Sequence, residues 1–281
     1  MTATFNPQAF DAFLMGDESL TIACGDMMLA GGHRLTAVVT RDATVRGWAE
    51  AKGLSVFDQA KDILDTDLAA DWLLSIANLR MISPEVLALP SKGAINFHDG
   101  PLPRYAGLNT PAWAVINGET SHGVSWHMIE GGVDEGDLLA QKMIEISGDE
   151  TAFSLNSKCY AAGMESFAKV LAQLETGVLE RSPQDLSQRS YFARDQRPEN
   201  MGVLDFSKPA VQLDGLVRGL DFGEYWNPLG TAKIAIGDAV FCVKALDLIE
   251  GKTGAAGEVL AVSAKGVTFG TSTSAVLLRG L

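Results

Sequence analysis

The chain has 281 residues, 22 Lys and Arg against 35 Asp and Glu, and a formal net charge of −13. Such a length buries a full hydrophobic core without staples, and the acidity argues against nucleic acid, whose phosphates need Lys and Arg to displace their counterions. No segment has the continuous apolar length of a membrane span, and the opening residues carry no basic start followed by an apolar stretch, so a cytoplasmic protein with no membrane partner is the expectation.

Residues 9–15 are apolar except for Asp11 and read as a first strand, followed by a loop of turn and capping residues, Gly16-Asp17-Glu18-Ser19. Residues 20–30 read as a helix stopped by Gly31-Gly32. A second strand follows at 35–39, a helix at 45–52 ended by Gly53, and a short third strand at 54–56. The alternation continues through 72–77, 84–89, 94–97, 110–117 and 123–129, which predicts a Rossmann-like wound α/β sheet. In such sheets ligands sit beyond the carboxyl ends of the strands. Residues 152–176 form a long helical stretch, and 184–197 are polar and aperiodic like an ordered linker. From Leu229 short alternating segments at close spacing predict a small antiparallel, OB-like β-barrel. The expected organisation is a catalytic domain over 1–183, a linker over 184–204 and the barrel over 205–281.

The densest chemistry lies in Asn96-Phe97-His98-Asp99-Gly100-Pro101-Leu102-Pro103. Two residues apart on a strand, Asn96 and His98 share a face, so an amide and an imidazole can converge on one substrate atom. An amide can donate to an oxyanion, and an imidazole can pass a proton near neutral pH. Asp134 sits in Gly131-Gly132-Val133-Asp134-Glu135-Gly136, where it reads either as a carboxylate orienting His98 or as an ordinary Asx turn.

The run from Ile95 to Gln141 resembles the folate-dependent formyltransferases in four ordered elements: an N-x-H core, an L-P-x-[YW]-x-G turn, an N-G-[DE] segment leading to H-G-[VT], and a D-x-G element. The resemblance implies catalytic roles for Asn96, His98 and Asp134, and 10-formyltetrahydrofolate as donor, with no metal. It also implies that Leu79, Arg80, Met81 and Ile82 hold the pterin through their backbone, and that Glu130, Gly131, Gly132 and Val133 close over it. Phe206-Ser207-Lys208-Pro209-Ala210 and Leu216-Val217-Arg218-Gly219-Leu220 look like the start of the barrel domain of methionyl-tRNA formyltransferases.

Two departures bear on the substrate. The family usually reads His-x-Ser-Leu-Leu-Pro where this chain has His98-Asp99-Gly100-Pro101-Leu102-Pro103, so a serine contact is missing. The first loop carries Asp17 and Glu18, which would repel a phosphate and suit a cationic amine. With the net charge, this argues against tRNA and favours a small-molecule amine or a carrier-protein-bound amino acid, as in formylation domains of nonribosomal peptide or polyketide synthetases. The termination at Leu281, directly after an apolar segment, suits a domain of a longer protein or a simple terminus equally. The competing readings are a sugar-nucleotide amine formyltransferase, then a methionyl-tRNA formyltransferase, and a non-catalytic folate- or partner-binding module.

Other residues read as structure. Cys24, Cys159 and Cys242 lack disulfide or metal spacing and are expected to be buried. His122 and His127 read as packing or capping residues. Trp48, Trp72, Trp113, Trp126 and Trp226 read as core or groove packing, with Trp113 a candidate for the acceptor path. Glu135 and Asp137 read as a solvated turn.

Overall fold

The computed structural model describes residues 8–280. Its centre is a seven-stranded sheet of β1 (Asp11–Met15), β2 (Arg34–Val39), β3 (Val56–Phe57), β4 (Trp72–Ser75), β5 (Gly93–His98), β6 (Ser121–Met128) and β7 (Leu138–Glu145), in the order β3-β2-β1-β4-β5-β6-β7. Strands β1 to β5 pair in parallel, and β6 runs antiparallel to β5. The chain order reverses direction between β1 and β4, where wound sheets open a crevice at their carboxyl ends.

Burial explains why these segments became strands. In β1 and β4 nearly every residue is buried, as in parallel sheets covered on both faces. Helix α1 (Ser19–Ala30) buries Leu20, Cys24 and Met28 at four-residue spacing. Gly25 admits the neighbouring helix, because a Cβ there would lie 2.4 Å from the Trp48 ring. Helix α2 (Ala43–Ala51) starts where the Asp42 carboxylate accepts from the Thr44 and Val45 amides.

The short α3 (Pro84–Leu87) precedes β5, and α4 (Thr110–Ile116) precedes β6. Helix α5 (Ala152–Thr176) spans the whole predicted helical stretch. Phe97 of β5 packs on Trp126 and meets α5 at Gly163, where a Cβ would come within 2.7 Å of the Phe97 ring. The aromatic side of β5 is thereby committed to packing, and Asn96 and His98 are left to the opposite face.

Two compact units are present: residues 1–108, 123–143 and 159–191, and residues 109–122, 144–158 and 192–281. The second contains α4 and α6 (Ala210–Gly219). Gly219 lets these helices touch, since a Cβ there would lie 2.4 Å from Ile116 Cγ1. The C-terminal strands are all antiparallel, consistent with a small barrel-like domain. β8 (Lys233–Ile236) pairs with β9 (Ala239–Cys242), and β10 (Ala245–Ile249), β11 (Val259–Ser263), β12 (Gly266–Gly270) and β13 (Ala275–Arg279) form a sheet of order β10-β13-β12-β11.

Two expectations of burial need correction. Cys24 and Cys159 are buried thiols, but Cys242 lies exposed on β9, whose four residues all face solvent. A two-stranded hairpin has too little sheet to cover both faces. Trp226 is 83% exposed instead of packed.

Candidate active site

The parallel pairing of β4 with β5 sets Ser75 beside Asn96. The antiparallel pairing of β5 with β6 sets Asn96 beside His127 and His98 beside Ser125. Five polar side chains thus share one face at the strand ends, and Ser75, His98, Ser125 and His127 are buried there.

Each has defined partners. Ser75 Oγ donates to Asn96 Oδ1 at 2.8 Å, and Asn96 Nδ2 lies 3.2 Å from His127 Nε2. His127 Nδ1 donates to the Met128 carbonyl at 2.8 Å, so in the neutral ring Nε2 carries the lone pair. His98 Nε2 donates to the Tyr105 carbonyl at 2.6 Å. That leaves Nδ1 of His98 for proton exchange, with Asp134 Oδ2 at 3.7 Å and Asp99 Oδ1 at 3.8 Å.

Asp134 joins the group from the loop between β6 and β7. It holds a left-handed backbone, φ 57°, and accepts from the Gly107 amide at 2.9 Å. That bond crosses 27 residues, so the carboxylate is not closing a local Asx turn. Its Oδ1 lies 3.4 Å from His127 Nε2. Burial opposes ionisation of Asp134, yet the charge of His98, the hydrogen bond and charge of His127 and the Gly107 amide outweigh it and hold the carboxyl far below its ordinary value. Gln184 fixes the loop through the carbonyls of Asp134 and Gly136.

The turn after His98 is held by a different serine. Ser125 Oγ donates to the Gly100 carbonyl at 2.7 Å and accepts from the Leu102 amide at 3.1 Å. Gln141 on β7 donates to Ser125 Oγ and to the Leu102 carbonyl. Gly100 is required sterically: a Cβ would lie 2.3 Å from the Tyr105 carbonyl oxygen and 2.6 Å from His98 Nε2. Gly100→Ala should therefore cost about 1–3 kcal/mol of stability and displace the imidazole. The melting temperature should fall, and an unchanged one would contradict this packing.

A cleft of about 340 Å³ opens at the ends of β1 and β2, walled in part by Asn78, whose Nδ2 donates to Ser75 Oγ. Met15, Val39, Ile82 and Val86 give it an apolar floor, and Arg41, Lys61, Asn78 and Arg80 line its polar side. Arg80 is engaged with Asp17 at 3.1 Å, and Asp17 also accepts from Thr40 Oγ1 and the Arg41 amide. The first loop's aspartate is thus consumed by an ion pair and is not a free receptor for a cationic amine, as its sequence alone suggested. Arg41 and Lys61 form no ion pair with other described residues.

Of the residues expected to hold a pterin, Arg80, Met81 and Ile82 line this cleft, while Leu79 is 67% exposed. Glu130 to Val133 form an exposed loop outside the cleft lining, tethered by Arg181 to Glu130 and by Arg189 to the Val133 carbonyl. Asp137 pairs with Arg181, and Glu135 caps the Gly132 amide, so that turn is an ion-paired one.

Residues 32–171 match the family described as Formyl transferase. The chain belongs to the formyl transferase family. This formyltransferase is 28% identical over 256 residues to the methionyl-tRNA formyltransferase of Agathobacter rectalis, covering 84% of this chain and 80% of that one. Its fold is similar to an N-formyltransferase from Helicobacter canadensis solved with folinic acid and dTDP-3-aminofucose. That similarity has TM-score 0.78, 18% identity and coverage of 97% of this chain and 99% of that one. It is also similar to WlaRD, a sugar 3N-formyl transferase solved with dTDP and 5-N-formyl-THF, at TM-score 0.77, 18% identity and coverage of 98% and 99%.

His127, which by sequence reads as a packing or capping residue, belongs to the cluster, as do Ser75 and Ser125. A signal was present: Ser125-Trp126-His127 repeats the polar-aromatic-polar alternation of Asn96-Phe97-His98. Two such triplets side by side on antiparallel strands bring four polar groups to one face.

Proposed function

We propose that this enzyme transfers the formyl group of 10-formyltetrahydrofolate to a primary amine, with Asn96, His98 and Asp134 as its catalytic set. The observation that carries the reading is the convergence of the Asn96 amide, the His98 and His127 imidazoles and the Asp134 carboxylate through links of 3.2, 3.7 and 3.4 Å.

The donor supplies an activated formyl carbon. Asn96 Nδ2, with one hydrogen directed at His127, offers its second to the formyl oxygen as negative charge gathers there. His98 Nδ1 passes the proton between the incoming amine and the departing nitrogen. The Asp134 carboxylate stabilises His98 as it becomes cationic.

The cleft supports the donor assignment. Its apolar floor suits a flat ring, and Arg41 and Lys61 suit the carboxylates of a glutamate tail. Replacing both cations, in Arg41→Glu with Lys61→Glu, should raise the donor KM about three- to tenfold with kcat little changed. The effect should shrink in high salt. Steady-state kinetics at two ionic strengths checks it, and an unaltered KM would remove the cleft from the donor site.

The acceptor reading is a small amine or a carrier-bound aminoacyl group, because a chain of net charge −13 repels tRNA. A second reading, a sugar-nucleotide amine, is favoured by the two similar folds solved with dTDP ligands. Titration calorimetry with a nucleoside diphosphate separates them: tight binding favours the sugar nucleotide. Release of tetrahydrofolate across an amine panel tests transfer itself, and donor binding with no turnover on any amine would favour a binding module instead.

A further inference from the structure

We propose that Ser75 and Asn78 are positioning residues that lock the Asn96 amide in one orientation and tie it to the backbone of the loop after β4. The proposal rests on Asn96 acting as the donor to the formyl oxygen.

The links from Arg80 to Asn96 have a forced direction. The Arg80 amide donates to Asn78 Oδ1 at 3.2 Å, and Asn78 Nδ2 donates to the Arg80 carbonyl at 3.1 Å. A backbone amide can only donate and a carbonyl can only accept, so Asn78 has no alternative orientation. Its Nδ2 then also donates to Ser75 Oγ at 3.3 Å, which leaves the Ser75 hydroxyl hydrogen for Asn96 Oδ1 at 2.8 Å. With its oxygen occupied, Asn96 must turn Nδ2 toward His127 Nε2 at 3.2 Å. His127 Nδ1–H is spent on the Met128 carbonyl at 2.8 Å, so in the neutral ring that nitrogen accepts from Asn96.

Backbone groups of Arg80 and Met128 thus close the chain at both ends. A flipped Asn96 amide would strand the Ser75 hydrogen, which the bond from Asn78 leaves directed at Asn96, in a site where Ser75 is 2% exposed. Unsatisfied buried polar groups are costly, so the chain selects the orientation that presents N–H to substrate. None of these links needs Ser75 or Asn78 to touch the reacting atoms.

A double-mutant cycle separates positioning from packing. Single-turnover rates and donor KM are measured for Ser75→Ala, Asn96→Ala and the double variant. Ser75→Ala should slow transfer on the order of tenfold with donor KM held within about twofold. In the Asn96→Ala background, adding Ser75→Ala should change the rate by less than about twofold, because there is no amide left to orient. Equal losses in both backgrounds, or no loss in the wild-type background, would overturn the proposal. Should Ser75→Ala fail to fold by thermal unfolding, the cycle is run on single-turnover rates alone with Asn78→Ala, which lines the donor cleft: a loss of rate that vanishes in the Asn96→Ala background supports the proposal, and equal losses in both backgrounds overturn it. Full activity of Asn96→Ala alone would instead refute the catalytic reading on which this rests.

Discussion

Asn96→Ala will lower the single-turnover rate of formyl transfer by about 10²–10³-fold, the loss expected when one preorganised oxyanion donor is removed. The structure makes this a local change. Asn96 is half-buried at the end of β5, and its side chain bonds only to Ser75 and His127 among the described residues. Circular dichroism and melting should therefore stay close to the parent. Asn96→Asp sharpens the test, because an ionised carboxylate keeps the shape and the bond from Ser75 but has no hydrogen to donate. It should be as damaging as alanine. A variant of either kind that turns over within about threefold of the parent rate would remove the amide from the chemistry.

Asp134→Asn should slow transfer at least about a hundredfold, the scale of a lost proton-transfer partner. The substituted amide can still accept from the Gly107 amide, so the loop between β6 and β7 keeps that anchor. What it loses is the negative charge 3.7 Å from His98 Nδ1. The acid response separates charge from shape. The folded-state carboxyl of Asp134 titrates far below its ordinary value, so it stays ionised while the unfolded chain takes up its proton near pH 4. Its favourable contribution is complete above that pH and is lost as pH falls toward the folded value. The difference in stability between parent and Asp134→Asn should hold level at neutral pH and shift against the parent below about pH 4. Chemical unfolding at several pH values measures it, and a difference independent of pH down to the acid limit would show that the charge is not stabilised by its surroundings.

The α/β alternation was legible because apolar runs of strand length and helices stopped by glycine are local signals. Helix α5 was placed over 152–176 as observed. Asn96 and His98 shared a face by period two alone. The short β3, expected at 54–56, runs over Val56–Phe57, beginning two residues later and ending one later, since two half-buried residues offer little pattern. Asp17 was misread as a free carboxylate because its partner Arg80 lies 63 residues away.

The sequence by itself determined the wound sheet, the antiparallel C-terminal strands and the positions of the Asn96, His98 and Asp134 motifs, because hydrophobic period and turn chemistry are written along the chain. Only the tertiary structure decided that His127 and Ser75 stand beside Asn96, that Ser125 secures the turn after His98, and that Cys242 and Trp226 face solvent. Strand register across β4, β5 and β6 is fixed by packing between segments distant in sequence. A residue's neighbours on the adjacent strand are therefore set by the folded sheet and not by its own local pattern.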